Sequence, residues 1–288
     1  TGIDVGTHDV LVIDFGHESL SAGVSGTSNI LNTSGALNNV GTIYLVSSNS
    51  NITTGVLNLA GSNVSNYSLI SSANLPNTLL SSLNLTNLVS NFNFSFTNVG
   101  TFTNAAGASI ASAGSLSVFA NNIFNSGSMT SGAAMNLTAS NLINNAGIMQ
   151  AAQAASLQAA QIMNSGTIAS IAANVNAITA NLQNSGLIQA LNGSVFVKNE
   201  LTNNLAVNNI LGQIVAKDQA VFKVLGESPN LNLTGGIITA ESINFVAPAG
   251  LVNVNVDELN GGISVASPGI IIQAQNSGIE LVSVTTGT

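Results

Sequence analysis

The 288-residue sequence predicts an all-β fold, a parallel β-solenoid with rungs of ~19–26 residues. Three observations carry that expectation. A short phrase recurs about every twenty residues, apolar and polar residues alternate by twos within it, and charge is nearly absent.

The recurring phrase is "NSGSMTS" from Asn125, "NNAGIMQA" from Asn144, "NSGTIAS" from Asn164 and "NSGLIQA" from Asn184. Its marker glycines are Gly107, Gly127, Gly147, Gly166 and Gly186. An apolar column follows them at Ile110, Met129, Met149, Ile168 and Ile188, and a small column at Ser112, Ser131, Ala151, Ser170 and Ala190. Later in each unit come Val118, Leu137, Leu157, Ala177 and Phe196, then Ile123, Leu142, Ile162, Leu182 and Leu201. Several columns keep one period, which makes the unit structural.

Inside the unit, "GSLSVFA", "AMNLTA" and "GSVFVK" alternate with period two, the period of a strand whose side chains point to opposite faces. Two or three short strands per ~20 residues form one turn of a coil, hydrogen-bonded to neighbouring turns ~4.8 Å away. Apolar columns are expected inside, and small or polar columns outside. No single rung buries its own apolar face, so stability comes from stacking.

Asn125, Asn144, Asn164 and Asn184 are expected to form an amide ladder along the coil, with Asn122, Asn141, Gln161 and Asn181 as a second amide column. Asn and Gly also suit tight corners that need left-handed backbone. Charge is disfavoured for the same stacking reason, because like charges directly opposite one another destabilise a sheet. No residue from Ser19 to Val197 is Asp, Glu, Lys or Arg.

Residues 1–22 read as an N-terminal end or joint region. Residues 23–97 read as irregular rungs, with a loop or excursion within 62–97 around Pro76. Residues 98–201 read as regular ~20-residue rungs, and 202–288 as looser rungs with insertions at 202–209 and 226–231 and the C-terminal end. Ile188, Ile214, Ile238 and Ile263 continue the core, while Lys217 and Glu241 fall one rung apart as a stacked ion pair. About 14 rungs would give a rod ~70 Å long.

The phrase Asn-x-Gly-x-Ile-x-Ala, then Leu-x-Leu-x-Ala and an apolar pair before the next Asn, resembles the filamentous haemagglutinin-type exoproteins of two-partner secretion. The resemblance is strongest across 98–225. It implies a right-handed parallel β-helix and a large bacterial adhesin. The prolines Pro76, Pro229, Pro248 and Pro268 follow Leu, Ser, Ala and Ser, so the Asn-Pro motifs of that family's secretion domain are missing.

Composition narrows function. A net charge of −8 with no Arg argues against nucleic acid or anionic membrane as partners. No apolar run approaches the ~20 residues of a spanning helix. With no Cys there is neither a disulfide framework nor a thiolate metal site. Thr1 and the missing basic-apolar leader read as a mature segment or an excerpt.

No P-loop, nucleophile elbow or dinucleotide fingerprint occurs, and no calcium nonapeptide. Metal-ligand residue types gather at His8, Asp9, Asp14, His17 and Glu18, which read first as a polar end of the coil. Acids elsewhere are Glu200, Asp218, Glu227, Glu241, Asp257, Glu258 and Glu280. Phe92, Phe94, Phe96, Phe102, Phe119, Phe196, Phe222 and Phe245 read as a core stack, leaving Tyr44 and Tyr67 to stack on sugars.

No catalytic, cofactor-binding or metal residue is assigned and no cofactor is expected. The expected function is a non-catalytic extracellular shaft or filament subunit at a bacterial surface. Its partners would be other copies, end to end or laterally through residues 1–18 and 283–288, and host or surface glycans. A carbohydrate-processing or glycan-binding β-helix, with Glu241, Asp257 and Glu258 converging in one groove, is the alternative. A flat glycan- or ice-binding face would need a regular Thr column, and Thr here is irregular.

Overall fold

The structure, a computed structural model, describes residues 2–17, 24–25, 27–200, 202–275 and 281–285. It divides into two compact units: residues 1–140 with 147–151, and residues 141–146 with 152–288. Each unit is a stack of parallel rungs, three short strands to a rung. Among the described residues the one antiparallel pairing joins Val24–Ser25 to Ser28–Asn32. Parallel neighbours cannot be linked by a tight hairpin, so the remaining two sides of each rung serve as the crossover. The chain is thus a parallel β-solenoid.

One rung of the second unit illustrates the plan. Its three sides are Gln161–Asn164, Thr167–Ser170 and Val175–Ile178. We call these the ladder, marker and middle faces. Above them run Asn181–Asn184, Leu187–Ala190 and Val195–Asn199. Ile162 pairs with Leu182, Ile168 with Ile188 and Ala177 with Val197, all buried. The marker column then continues through Ile214, Ile238 and Leu259. In the first unit it runs Ile43, Ile70, Ile110, Met129 and Met149. Burying each such side chain is worth about 1.5–3 kcal/mol over leaving it exposed.

A buried amide ladder closes the ladder-face corner. In the first unit the Nδ2 atoms of Asn39, Asn66 and Asn104 donate to the Oδ1 atoms of Asn66, Asn104 and Asn125, each at 2.8 Å. In the second, Asn145, Asn164 and Asn184 donate to Asn164, Asn184 and Asn209 at 2.8, 2.7 and 2.7 Å. Each Nδ2 also donates to a backbone carbonyl of the next rung, as Asn145 does to Thr167 and Asn164 to Leu187. An unsatisfied buried amide is costly, so the two bonds together make Asn the fitting residue here.

The marker glycines have a different reason from the left-handed backbone expected. Gly107 has φ +80°, but a Cβ on Gly127, Gly147 or Gly186 would instead lie 2.3, 2.0 or 2.1 Å from a carbonyl oxygen of the rung before. Close approach between rungs excludes a side chain at those three. The small column also faces inward, against expectation. Ser112, Ser131, Ala151, Ser170 and Ala190 are buried at the next corner. There the Ser170 hydroxyl donates to the carbonyls of Gln153 and Ala173 at 2.6 and 2.8 Å.

The first unit departs from the ~20-residue period. Thr42 pairs with Leu69, and Leu69 with Ser109. The extra residues between Leu69–Ser71 and Asn93–Asn104 leave at one corner as the expected excursion. It carries a short helix, Asn77–Ser82, begun at Pro76, and Asn74, Asn84 and Asn87 take its left-handed turns. It folds back over the marker face: Val89 N–H donates to the Ser47 carbonyl at 2.9 Å, and Pro76, Thr78 and Leu79 line a cleft with Tyr44. Tyr44 and Val46 alternate outward from Ile43 and Leu45, yet all four are buried. Below, Phe15 reaches under Gly55, where an added Cβ would lie 2.5 Å from the ring, and packs on Phe92 with centroids 5.8 Å apart.

Several expected columns are one residue out of register, and in a strand one residue reverses the face. Asn145, not Asn144, joins the ladder, and Ile143, not Leu142, fills the core. Val197, not Phe196, continues the column of Ala177. Ile263 stacks on Ile243 of the middle face, while Leu259 follows Ile238. Gln161 pairs with Leu142, so the second amide column is broken, and its residues face outward. Residues 202–209 contain the strand Asn204–Asn208, with Leu205 and Val207 inward, so the insertion there sits at the corner before it. Leu201 lies outside the described residues.

Candidate functional site

The N-terminal polar cluster is taken up by backbone turns. Asp9 accepts from Gly6 N–H at 3.0 Å. Asp14 accepts from the N–H groups of Gly16 and Ser48 and from the Ser48 hydroxyl. A carboxylate holding several donors of its own chain serves as a corner fastening. Among the described residues no group of three or more His, Asp or Glu is placed to hold a metal ion. Glu18 and Glu280 lie outside the described residues.

Four acids of the second unit fall at two corners, Asp218 with Glu241 at one and Asp257 with Glu258 at the other. Asp257 accepts from Gly236 N–H at 2.8 Å. Glu258 stands beside Ile237, at the start of the marker strand Ile237–Val246, and Glu241 lies further along that strand. Glu241 borders a shallow hollow with Asp218, Ser194 and Ser242. Glu241, Asp257 and Glu258 therefore do not converge in one groove. Lys217 and Glu241 do not form the expected ion pair. Among the described residues the ion pair is Lys198–Glu200, with Nζ 2.8 Å from Oε1.

Of the phenylalanines expected in the core, Phe92, Phe94, Phe96, Phe102, Phe222 and Phe245 are there. Phe222 and Phe245 stack at 5.5 Å between centroids. Phe119 and Phe196 point outward instead. Tyr44 lies beneath the excursion, whereas Tyr67 is 57% exposed at the ladder corner.

Two open grooves lie on the second unit. One follows the ladder corner and is lined by neutral residues, Met163, Gln183, Asn208, Ser165 and Ser185 among them. The other lies on the middle face. There Phe196 pairs with Val221 and Val221 with Asn244, while Lys198 pairs with Lys223. Phe196 is one residue out of the register expected from the sequence, with Val197 inside in its place, so the groove has no signature in the sequence.

No protein-family model, curated protein or solved structure matches the chain. Fold and surface define its class: a parallel β-solenoid with a buried asparagine ladder. No helix among the described residues is long and apolar enough to cross a membrane.

Proposed function

We propose that this chain is a non-catalytic structural and adhesive β-solenoid, the shaft of a bacterial surface adhesin or the subunit of a surface filament joined through its end rungs. The observation that carries the reading is the pairing of an internal amide ladder in each unit with outward faces made mainly of uncharged Asn, Ser, Thr and small residues. Such a body resists unwinding and presents broad polar contact. The recurring phrase supports the filamentous haemagglutinin-like assignment and, with it, export to the cell surface.

Among the described residues Ile3–Val5 and Val10–Asp14 each pair with a strand on one side only. A row of free backbone donors and acceptors accepts another strand. End-to-end addition of a second copy uses that chemistry.

Electron microscopy of the purified chain, with light scattering over a concentration series, tests the reading. Rods that lengthen with concentration are expected. Monodisperse short particles at high concentration, without fibres, would remove self-assembly. Globular particles would remove the shaft as well.

A further inference from the structure

Two of the three basic residues in the chain, Lys198 and Lys223, stand side by side in neighbouring rungs. Adjacent strands are ~4.8 Å apart, and like charges directly opposite oppose folding. Elsewhere the strands avoid this arrangement by omitting charge. Glu200 meets Lys198, but Lys223 has no ion-pair partner among the described residues. This doubled cation borders an open groove of ≈ 520 Å³. Outward residues of the same face complete it: the Phe196 ring beside Val221, then Asn244 beside Ser264.

We propose that this groove binds an acidic oligosaccharide. The apolar face of one sugar lies on Phe196 and Val221, a carboxylate lies between the two ammonium groups, and Asn244 takes a ring hydroxyl. Charge-assisted hydrogen bonds to a carboxylate are stronger than neutral ones. An aromatic side chain supplies area for a C–H face. Nucleic acid fits poorly, because a chain of net charge −8 with two cations in the groove repels a long polyanion. Glu200 occupies Lys198 in the free protein and is displaced on binding. The inference rests on the adhesive reading above and gives it a ligand class.

The test is calorimetric titration of the dispersed full chain with tetragalacturonate. Its methyl-esterified form serves as the uncharged control and sulfate as the bare anion. Expected are binding of the acid form that weakens with salt, and about tenfold weaker binding for Lys223→Ala. Glu200→Gln should tighten binding, and Phe196→Ala should weaken the oligomer without changing sulfate. These are surface positions, and circular dichroism checks that each variant is folded. Equal binding of the esterified oligomer, or an unchanged Lys223→Ala, overturns the proposal. Sulfate binding as tightly as the oligomer overturns the saccharide part. Fibres that form while no uronate binds leave the structural reading standing and remove this one.

Discussion

The regular rungs of the second unit and the irregular rungs of the first each keep an amide ladder, with very different lengths of chain between its members. Asn145 and Asn164 are 19 residues apart and their amides meet at 2.8 Å. Asn66 and Asn104 are 38 residues apart, and their amides also meet at 2.8 Å. The conserved quantity is therefore the axial step between rungs. Sequence period is only its commonest expression. Extra chain leaves at a corner, where backbone groups can turn to water or to Ser and Asn side chains, and returns in register. Ser72 and Phe92, at the two ends of the excursion, are within 3.3 Å of each other through a hydroxyl–carbonyl hydrogen bond.

If that is right, a ladder amide should matter equally in both regions. Asn164→Ala strands the Asn145 donor and the Asn184 acceptor, and Asn104→Ala does the same to Asn66 and Asn125. Each should cost about 2–4 kcal/mol, since two buried polar groups lose partners. Urea denaturation of both variants measures it. A large loss at Asn164 beside a negligible one at Asn104 would mean that the long rungs are held by something else.

This equality also explains what was legible in the sequence. Alternation and the recurring phrase gave the solenoid, the inward Ile and Met column and the ladder itself. They did so because those features are enforced by stacking in every rung. The errors lie where two neighbouring residues are both plausible for a position. In "NNAG", Asn144 and Asn145 look alike, and in "VFV" the larger Phe196 reads as the core residue. Spacing to the next buried apolar residue resolves the first case: Asn125, Asn145 and Asn164 each precede Met129, Met149 and Ile168 by the same interval. Nothing local resolves the second, because Phe is accepted on either face and only pairing with Ala177 places Val197 inside. The middle-face groove was hidden for that reason.

The excursion offers a milder break. Replacing residues 74–90 by a two-residue Asn-Gly turn removes the helix and uncovers Tyr44, while Ser72 and Phe92 remain to close the corner. The uncovered apolar surface costs about 1.5–3 kcal/mol, and the shorter loop returns less than about 1 kcal/mol of closure entropy. A net loss of about 1–2 kcal/mol is expected, with cooperative unfolding retained and a larger share of the tyrosine emission open to acrylamide quenching as Tyr44 joins Tyr67 in solvent. Failure to fold would make the excursion part of the core and the corner rule false.

The smallest effect is expected where the ladder begins. Asn39 is fully buried, and its Oδ1 is one of two buried side-chain atoms without a hydrogen-bond partner among the described residues. In the rung beneath, the ladder position is held by Val5, which pairs with Asn39. The backbone there already follows the ladder pattern. Val40 N–H donates to the Val5 carbonyl at 3.0 Å, as Tyr67 N–H does to the Asn39 carbonyl at 2.8 Å. Val5→Asn would supply the missing donor, with its second N–H directed toward the marker strand of the next rung. Lost apolar burial offsets part of the new bonding, so a gain of no more than about 1 kcal/mol is expected. Val5→Ser loses the same apolar surface without an amide and should cost about 1–2 kcal/mol. The difference between the two variants, read from their urea midpoints, isolates the amide. If both destabilise equally, the Asn39 acceptor is not open to extension, and the ladder has a built start at Asn39 rather than an accidental one.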